Sequence, residues 1–289
     1  MKSLSIKMVN SSRPSHSWTS LVVFWVALSL FVVFDASAVE QPGQELEYSE
    51  VLDQGLLGEG RQAYRERADL TRAHDAYTLF KRYLKENPDD AVAAWHFSLS
   101  CYYLGNRGTS GQSDEKKRVH DEGREAADQA LKTNPECGPC HLLSAINHAL
   151  WAQEVGIFRT IMGLPKVLNH LKRAARLSPE FGGAAAYRVH ATIMKVLPKM
   201  FGGGKKKARK LIEKAIVVAP AEPLNYEILA DILIEKYKDP NAAVVVAQRG
   251  LEVPSPPPEY VESRDSLKYL QRIVKKVRRS IFVKKPGNT

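Results

Sequence analysis

Cys137-Gly-Pro-Cys140-His141 is where residue type and spacing come nearest to chemistry in this sequence. Two thiols three residues apart, followed at once by an imidazole, form the attachment pattern of c-type haem: the sulfurs add to the vinyl groups and the histidine reaches the iron. Such a haem needs a second axial ligand, and His148, Met162, Met194 and Met200 are the available side chains. The same spacing serves thiol redox chemistry, in which the first sulfur is activated at a helix N-terminus, or metal binding. A plainer reading competes. The motif follows Asn134-Pro135, where a helix begins, and cysteine is a small residue that is often simply buried. No β-α-β pattern surrounds it, which argues against a thioredoxin fold. The balance favours structural thiols or a local disulfide with no cofactor, and haem c or thiol redox use stands as the alternative. Cys101 falls inside a helical run and is expected to be buried.

Other constellations are weaker. Gly202-Gly-Gly-Lys-Lys-Lys207 lacks the phosphate-loop spacing, and Ala208 stands where a hydroxyl is needed. It reads as a turn and a lysine-rich first helical turn; cations are mildly unfavourable there, which points to an anion or partner contact. No Ser-His-Asp set, paired-carboxylate motif or His-x-x-x-His helix is recognisable, so binding rather than catalysis is expected. The binding candidates are the aromatic and amide residues Trp95, Tyr102, Asn147, Trp151, Tyr187, Asn225 and Tyr226. The competing role for these is packing between helices.

The elements that hold these residues follow from a recurring phrase. Small and apolar residues run into a polar residue and a proline at Tyr83-Leu-Lys-Glu-Asn-Pro88, Ala130-Leu-Lys-Thr-Asn-Pro135, Ala174-Ala-Arg-Leu-Ser-Pro179 and Ala215-Ile-Val-Val-Ala-Pro220, with a degenerate copy at Gly250-Leu-Glu-Val-Pro254. The prolines are 47, 44, 41 and 34 residues apart. Apolar residues three and four apart, such as Ala208, Leu211, Ile212 and Ala215, share one helix face, and proline ends one helix and can open the next. Each unit is a helix A, a loop, a helix B and a proline. One such pair cannot bury its apolar face alone, so the pairs stack, and a period near 34 matches the tetratricopeptide repeat. The expected fold is all-α: a tetratricopeptide-like helical-hairpin solenoid with a C-terminal capping helix. The extra residues of the longer units, 105–119, 156–167 and 198–207, are expected between helix A and helix B.

Residues 1–38 read as a signal peptide. Lys2, Lys7 and Arg13 precede an apolar run, Leu21 to Phe34, and Ala36-Ser37-Ala38 supplies a cleavage site. The run is shorter than the roughly 20 residues of a spanning helix. An exported, periplasmic protein is the expectation. Loss of Lys2, Lys7, Arg13 and Asp35 would take the net charge from +10 to +8. Nucleic acid is not an expected partner. Residues 39–60 form an N-terminal arm, 61–254 the repeat domain and 255–289 a Pro-rich linker and basic amphipathic helix. That helix carries Leu267, Leu270, Ile273, Val274, Val277 and Ile281 on one side, with lysines and arginines on the other. It reads as the cap of the stack, with membrane association as the alternative.

Several segments, taken together, resemble a known family. Leu164-Pro-Lys-Val with His170 to Pro179, Ala186-Tyr-Arg-Val-His-Ala191 with Leu197 to Ala208, and Glu222-Pro-Leu-Asn-Tyr-Glu-Ile-Leu-Ala230 are similar to the tetratricopeptide-type T component of tripartite ATP-independent periplasmic (TRAP) transporters. The resemblance covers roughly residues 64–254, and the Gly-Gly-Gly insertion is its most specific part. It implies an exported scaffold that docks on a periplasmic solute-binding protein and lines a cavity for a small organic ligand. This chain lacks the cysteine of a lipid anchor at its cleavage site, which leaves a free periplasmic adaptor. The sequence leaves the oligomeric state open.

Overall fold

The computed structural model describes residues 55–108 and 113–283, with side chains described as far as Val277. The signal-peptide reading and most of the arm lie outside these residues. Eleven α-helices follow one another among them: α1 (Gly55–Arg65), α2 (Leu70–Glu86), α3 (Ala91–Arg107), α4 (Ser113–Thr133), α5 (Gly138–Val155), α6 (Ile157–Leu177), α7 (Phe181–Val196), α8 (Lys205–Val218), α9 (Pro223–Ile232), α10 (Pro240–Leu251) and α11 (Val261–Val283). A 3-10 turn at Lys199–Phe201 precedes α8, and a π turn at Leu233–Tyr237 ends α9.

Local chemistry sets most of these boundaries. Asp69, Asp90 and Asp239 cap α2, α3 and α10 by accepting backbone N–H groups that the first turn leaves unpaired. Pro139, Pro223 and Pro240 occupy the first turns of α5, α9 and α10, where a missing N–H costs nothing. At the other end α2, α6 and α8 stop at Asn87, Ser178 and Ala219, each immediately before a proline that bars the helical conformation.

Consecutive helices pair, and each odd-numbered helix also touches the next odd-numbered one. The even-numbered helices approach through alanines: Ala73, Ala76, Ala127, Ala130, Ala174, Ala208, Ala215, Ala243 and Ala247 are almost or wholly buried. Phe80, Leu142, Leu171 and Ile212 fill the interior between pairs, each contributing about 2–3 kcal/mol by leaving water. Two asparagines tie odd helices together. Asn147 on α5 donates to the Ser98 carbonyl on α3 at 2.9 Å, and Asn225 on α9 donates to the Gly183 carbonyl on α7 at 3.1 Å. Both amides are fully buried, so these bonds fix register between repeats as well as adding stability.

The extra residues take a different form from the expected loops. Gly156 alone, at φ +131°, turns the chain, and Ile157 already starts α6. The 156–167 segment therefore lengthens helix B, with Pro165 tolerated inside it. The physical reason is its own spacing: Ile157, Ile161, Leu164 and Leu168 share one face, and that face lines a cleft against α5 and α7. Likewise α4 starts at Ser113, inside the stretch expected to be loop. Residues 198–204 stay outside the α-helices, with the 3-10 turn at Lys199–Phe201 among them. There the Gly203 backbone lies against the Leu197 carbonyl so closely that a Cβ would sit 1.9 Å from its oxygen.

α11 packs on α9 and α10 through Leu270, Ile273 and Val277. Its first turn reaches the far end of the chain: Arg67, between α1 and α2, bonds Glu262 at 2.7 Å with both side chains buried, and Arg107 at the end of α3 meets Asp265 at 3.4 Å. The last helix thus spans from the last hairpin back to the first. As far as Val277, this packing takes up Leu270, Ile273 and Val277 and gives the helix its capping role. Among the described residues no helix is long and apolar enough to cross a membrane.

Candidate functional site

An apolar cleft of about 370 Å³ lies between α5, α6 and the C-terminal end of α7. α5 supplies His148, Ala149 and Ala152, and α6 supplies Ile157, Thr160, Ile161, Gly163, Leu164, Pro165, Val167 and Leu168. α7 and the turn after it supply Ile193, Val196, Leu197, Pro198 and Phe201. His148 is its main polar feature. Its Nδ1 is buried without a hydrogen-bond partner, and burial, with Lys166 and Arg124 nearby, lowers its pKa. Next in sequence to the lining residues Ile157, Ile161, Gly163 and Phe201, apolar side chains face solvent: Phe158 is 81%, Met162 74% and Met200 84% exposed. Cations stand beside them. Arg159, Lys199 and Lys206 are exposed. Lys205 donates to the Lys236 carbonyl and lies 4.6 Å from the Tyr237 ring centre, while Lys207 donates to the Gly202 carbonyl at 2.8 Å. Two of the three lysines at the start of α8 are thus engaged with carbonyl oxygens.

Cys137 and Cys140 form a disulfide at the start of α5. Cys137 is the N-cap residue, and its Sγ accepts the Cys140 N–H at 3.2 Å. His141 is buried, and both its ring nitrogens are engaged. Nε2 donates to the Pro135 carbonyl at 2.9 Å, so Nδ1 accepts, and His170 Nδ1 donates to it at 2.9 Å. The pair is held neutral: burial, then His141 itself, takes the His170 pKa down to about 4. This arrangement does not fit a haem. The two sulfurs are bonded to each other, and the imidazole has no free lone pair for iron. Met162 and Met200, offered as axial ligands, lie exposed, and Met194 is buried in α7. Cys101 is free and fully buried, its thiol pKa pushed well up by burial. No cluster of three or more metal-binding side chains occurs among the described residues.

The aromatic and amide candidates are strung along the stack and do not converge. Asn147 and Asn225 are the ties described above. Asn147 also accepts from His120 Nδ1 at 3.1 Å, and Asn225 from Arg188 Nη1 at 2.8 Å. Tyr226 is buried and donates to the Pro220 carbonyl at 2.8 Å, and Tyr102 is buried beside Tyr103 and Arg107. Tyr187 donates to the Ala175 carbonyl at 3.2 Å with Lys214 over its ring; Trp151 takes Arg124 over its ring at 5.1 Å, and Trp95 meets Phe181 edge-on at 5.4 Å. Sequence reasoning passed over the cleft residues Ile157, Ile161, Phe201 and Leu164. The available signal was an apolar face on 157–168 in a segment expected to be loop.

A second unusual feature lies at the start of α7. Gly182, Gly183 and Ala184 are left-handed in succession, at φ +60°, +61° and +64°. The buried Arg188 holds this turn by donating to the Gly183 and Gly182 carbonyls at 2.7 and 2.8 Å. Glycine is required at 183 on two grounds: its φ, and the Glu222 carboxylate, 2.7 Å from where a Cβ would stand.

Residues 56–185, somewhat under half of the chain, match the family described as Regulator of microtubule dynamics protein 1-3. The solved structures similar to it include TTC0263, a thermophilic TPR protein of Thermus thermophilus, at 18% identity and a TM-score of 0.56, covering 76% of this chain and 100% of that one. They also include yeast Tom70, at 14% identity and a TM-score of 0.30, covering 89% of this chain and 70% of that one. No curated protein matches the chain. The fold is therefore a tetratricopeptide-type solenoid, and the family found corrects the resemblance to the TRAP T component. The phrases that suggested that family are explained by geometry. Proline-ended alanine helices belong to such repeats in general, and in the Gly-Gly-Gly insertion the close approach at Leu197 demands Gly203 while φ values of +84° and +136° favour Gly202 and Gly204.

Proposed function

We propose that this chain is a helical-repeat scaffold that binds a partner protein by seating apolar side chains in the cleft between α5, α6 and α7. The observation that carries this reading is the group of solvent-facing Phe158, Met162 and Met200 next in sequence to residues that line an apolar cavity. Each forgoes about 1.5–3 kcal/mol by staying in water, which docking would recover. Clustered exposed apolar groups beside a cavity are the usual anatomy of a binding anchor. Methionine adds adaptable packing. The cations beside these residues and the net charge of +10 favour an acidic partner and give a salt-sensitive association rate. The similarity of residues 56–185 to regulators of microtubule dynamics makes the microtubule the first acidic surface to try.

The test is co-sedimentation of the full chain with purified microtubules across a salt series, beside the double variant Phe158→Asp/Met200→Asp. Both positions are exposed, so folding should be unaffected. The expected result is salt-sensitive pelleting that drops at least tenfold in affinity for the variant. A photo-crosslinker at Phe158 supplies the second arm. No pelleting removes the microtubule as partner, and a cross-linker that traps no protein removes the cleft as the docking surface.

A further inference from the structure

We infer that Cys137 and Cys140 form a thiol–disulfide exchange site that reacts with low-molecular-weight thiols through Cys137 while the helical stack stays folded. Four observations carry this. First, access is asymmetric. Cys137 is half-buried in a surface turn flanked by the exposed Asn134, Pro135 and Glu136, whereas Cys140 is fully buried. An attacking thiolate from solvent can reach only the Cys137 sulfur. Second, that sulfur stands at the N-terminus of the eighteen-residue α5 and accepts the Cys140 N–H. The positive end of a helix and a backbone donor both favour a thiolate at that position. Third, the buried sulfur has a place for its proton: Cys140 Sγ lies 3.6 Å from the Ala91 carbonyl on α3, an acceptor that only a reduced thiol can use. Both the oxidised and the reduced pair are therefore accommodated. Fourth, the fold does not depend on the bond. The cysteines are three residues apart within one helical turn. That turn is held independently by Pro139, by the bond from the Cys137 N–H to the Asn134 carbonyl, and by His141 Nε2 and Arg173 on the Pro135 carbonyl. So short a loop restrains the unfolded chain little, so a purely structural role explains the bond poorly.

The step balances as ordinary exchange. A thiolate of the glutathione class attacks Cys137 Sγ. A mixed disulfide forms there as the Cys137–Cys140 bond breaks, and the electron pair leaves on Cys140 Sγ, which takes a proton and turns to the Ala91 carbonyl. A second thiolate attacks the small-molecule sulfur of the mixed disulfide. Cys137 departs as a thiolate at the helix N-terminus, two external thiols having been oxidised to a disulfide and the protein disulfide reduced to a dithiol.

The experiment uses the full chain with Cys140→Ser and Cys137→Ser variants, and glutathione as the probe. Native protein treated with reduced glutathione at neutral pH should lose the Cys137–Cys140 bond with its helical circular dichroism unchanged. Under oxidised glutathione, Cys140→Ser should gain one adduct at Cys137, at least tenfold faster than Cys137→Ser gains any, since Cys140 and Cys101 are buried. Iodoacetamide labelling of the Cys140→Ser protein should reach half its maximal rate below the ordinary cysteine pKa of about 8.5. A bond that opens only when denaturant unfolds the protein, or equal adduct formation in the two variants, would overturn the proposal, as would a labelling profile like that of a free peptide cysteine.

Discussion

Six histidines are shifted toward the neutral form by the stack, four of them strongly, and this sets the response of the protein to acid. Burial takes His96 down to about 3 and His120, His170 and His190 to about 4. In the unfolded chain each titrates near 6.5. The folded state therefore binds fewer protons between those values. The stability it gains is fully present above pH 6.5 and is lost as pH falls toward 4. Glu227 acts in the opposite sense. Burial raises it to about 7, so its contribution is present below the ordinary carboxylate range and fades as pH rises through 7. These imidazoles outweigh the two carboxyls that burial raises, Glu227 and Asp231, so stability should fall between pH 7 and pH 5. His120→Gln keeps a donor for Asn147 but cannot take up the proton. It should lessen that fall by about 2 kcal/mol in urea unfolding. An equal fall in the variant would show that His120 is not one of the groups responsible. None of this was legible in the sequence, where eight scattered histidines look alike. Which of them lie inside depends on which helix face meets a neighbour.

At the scale of elements, the helix boundaries were readable because they rest on local chemistry. Asp90 is one example. Its Oδ1 accepts from Val92 N at 2.8 Å and Ala93 N at 3.0 Å, and it stands two residues after Pro88, which ends the phrase before it. Asp90→Ala should cost about 1 kcal/mol, read as a lowered urea midpoint with an unchanged slope; a loss under a few tenths would mean the cap contributes little. The same logic failed at 156–167. Length beyond the repeat period was taken for loop, but Gly156 compresses the turn into one residue and the surplus becomes helix. That surplus makes half of the cleft and carries Phe158 and Met162 into solvent. The Cys-x-x-Cys-His motif was equally visible. Its disulfide was among the readings weighed, while the commitment of both His141 nitrogens depends on Pro135 and on His170, twenty-nine residues away.

For the whole molecule the deciding contact is between the ends of the array. Arg67 and Glu262 are 195 residues apart and form a buried ion pair, with the Arg67 guanidinium also over the Tyr64 ring at 4.5 Å. Removing one member of such a pair leaves a charge inside the protein. Glu262→Ala should destabilise the chain by about 3 kcal/mol and separate the unfolding of α11 from that of the repeats, seen as a broadened or two-step denaturant transition. A variant that unfolds in one step at the parent midpoint would show that the closure is incidental. The sequence by itself determined what depends on near neighbours: helix starts at capping aspartates, helix ends before prolines, apolar faces three and four residues apart, and hence a solenoid of paired helices. Only the tertiary structure decided where α11 docks, which amides tie the repeats, which histidines lose their protons and where the cleft opens. Each of these is a meeting of residues tens to hundreds of positions apart, and spacing along one helix carries no information about the surface that helix will meet.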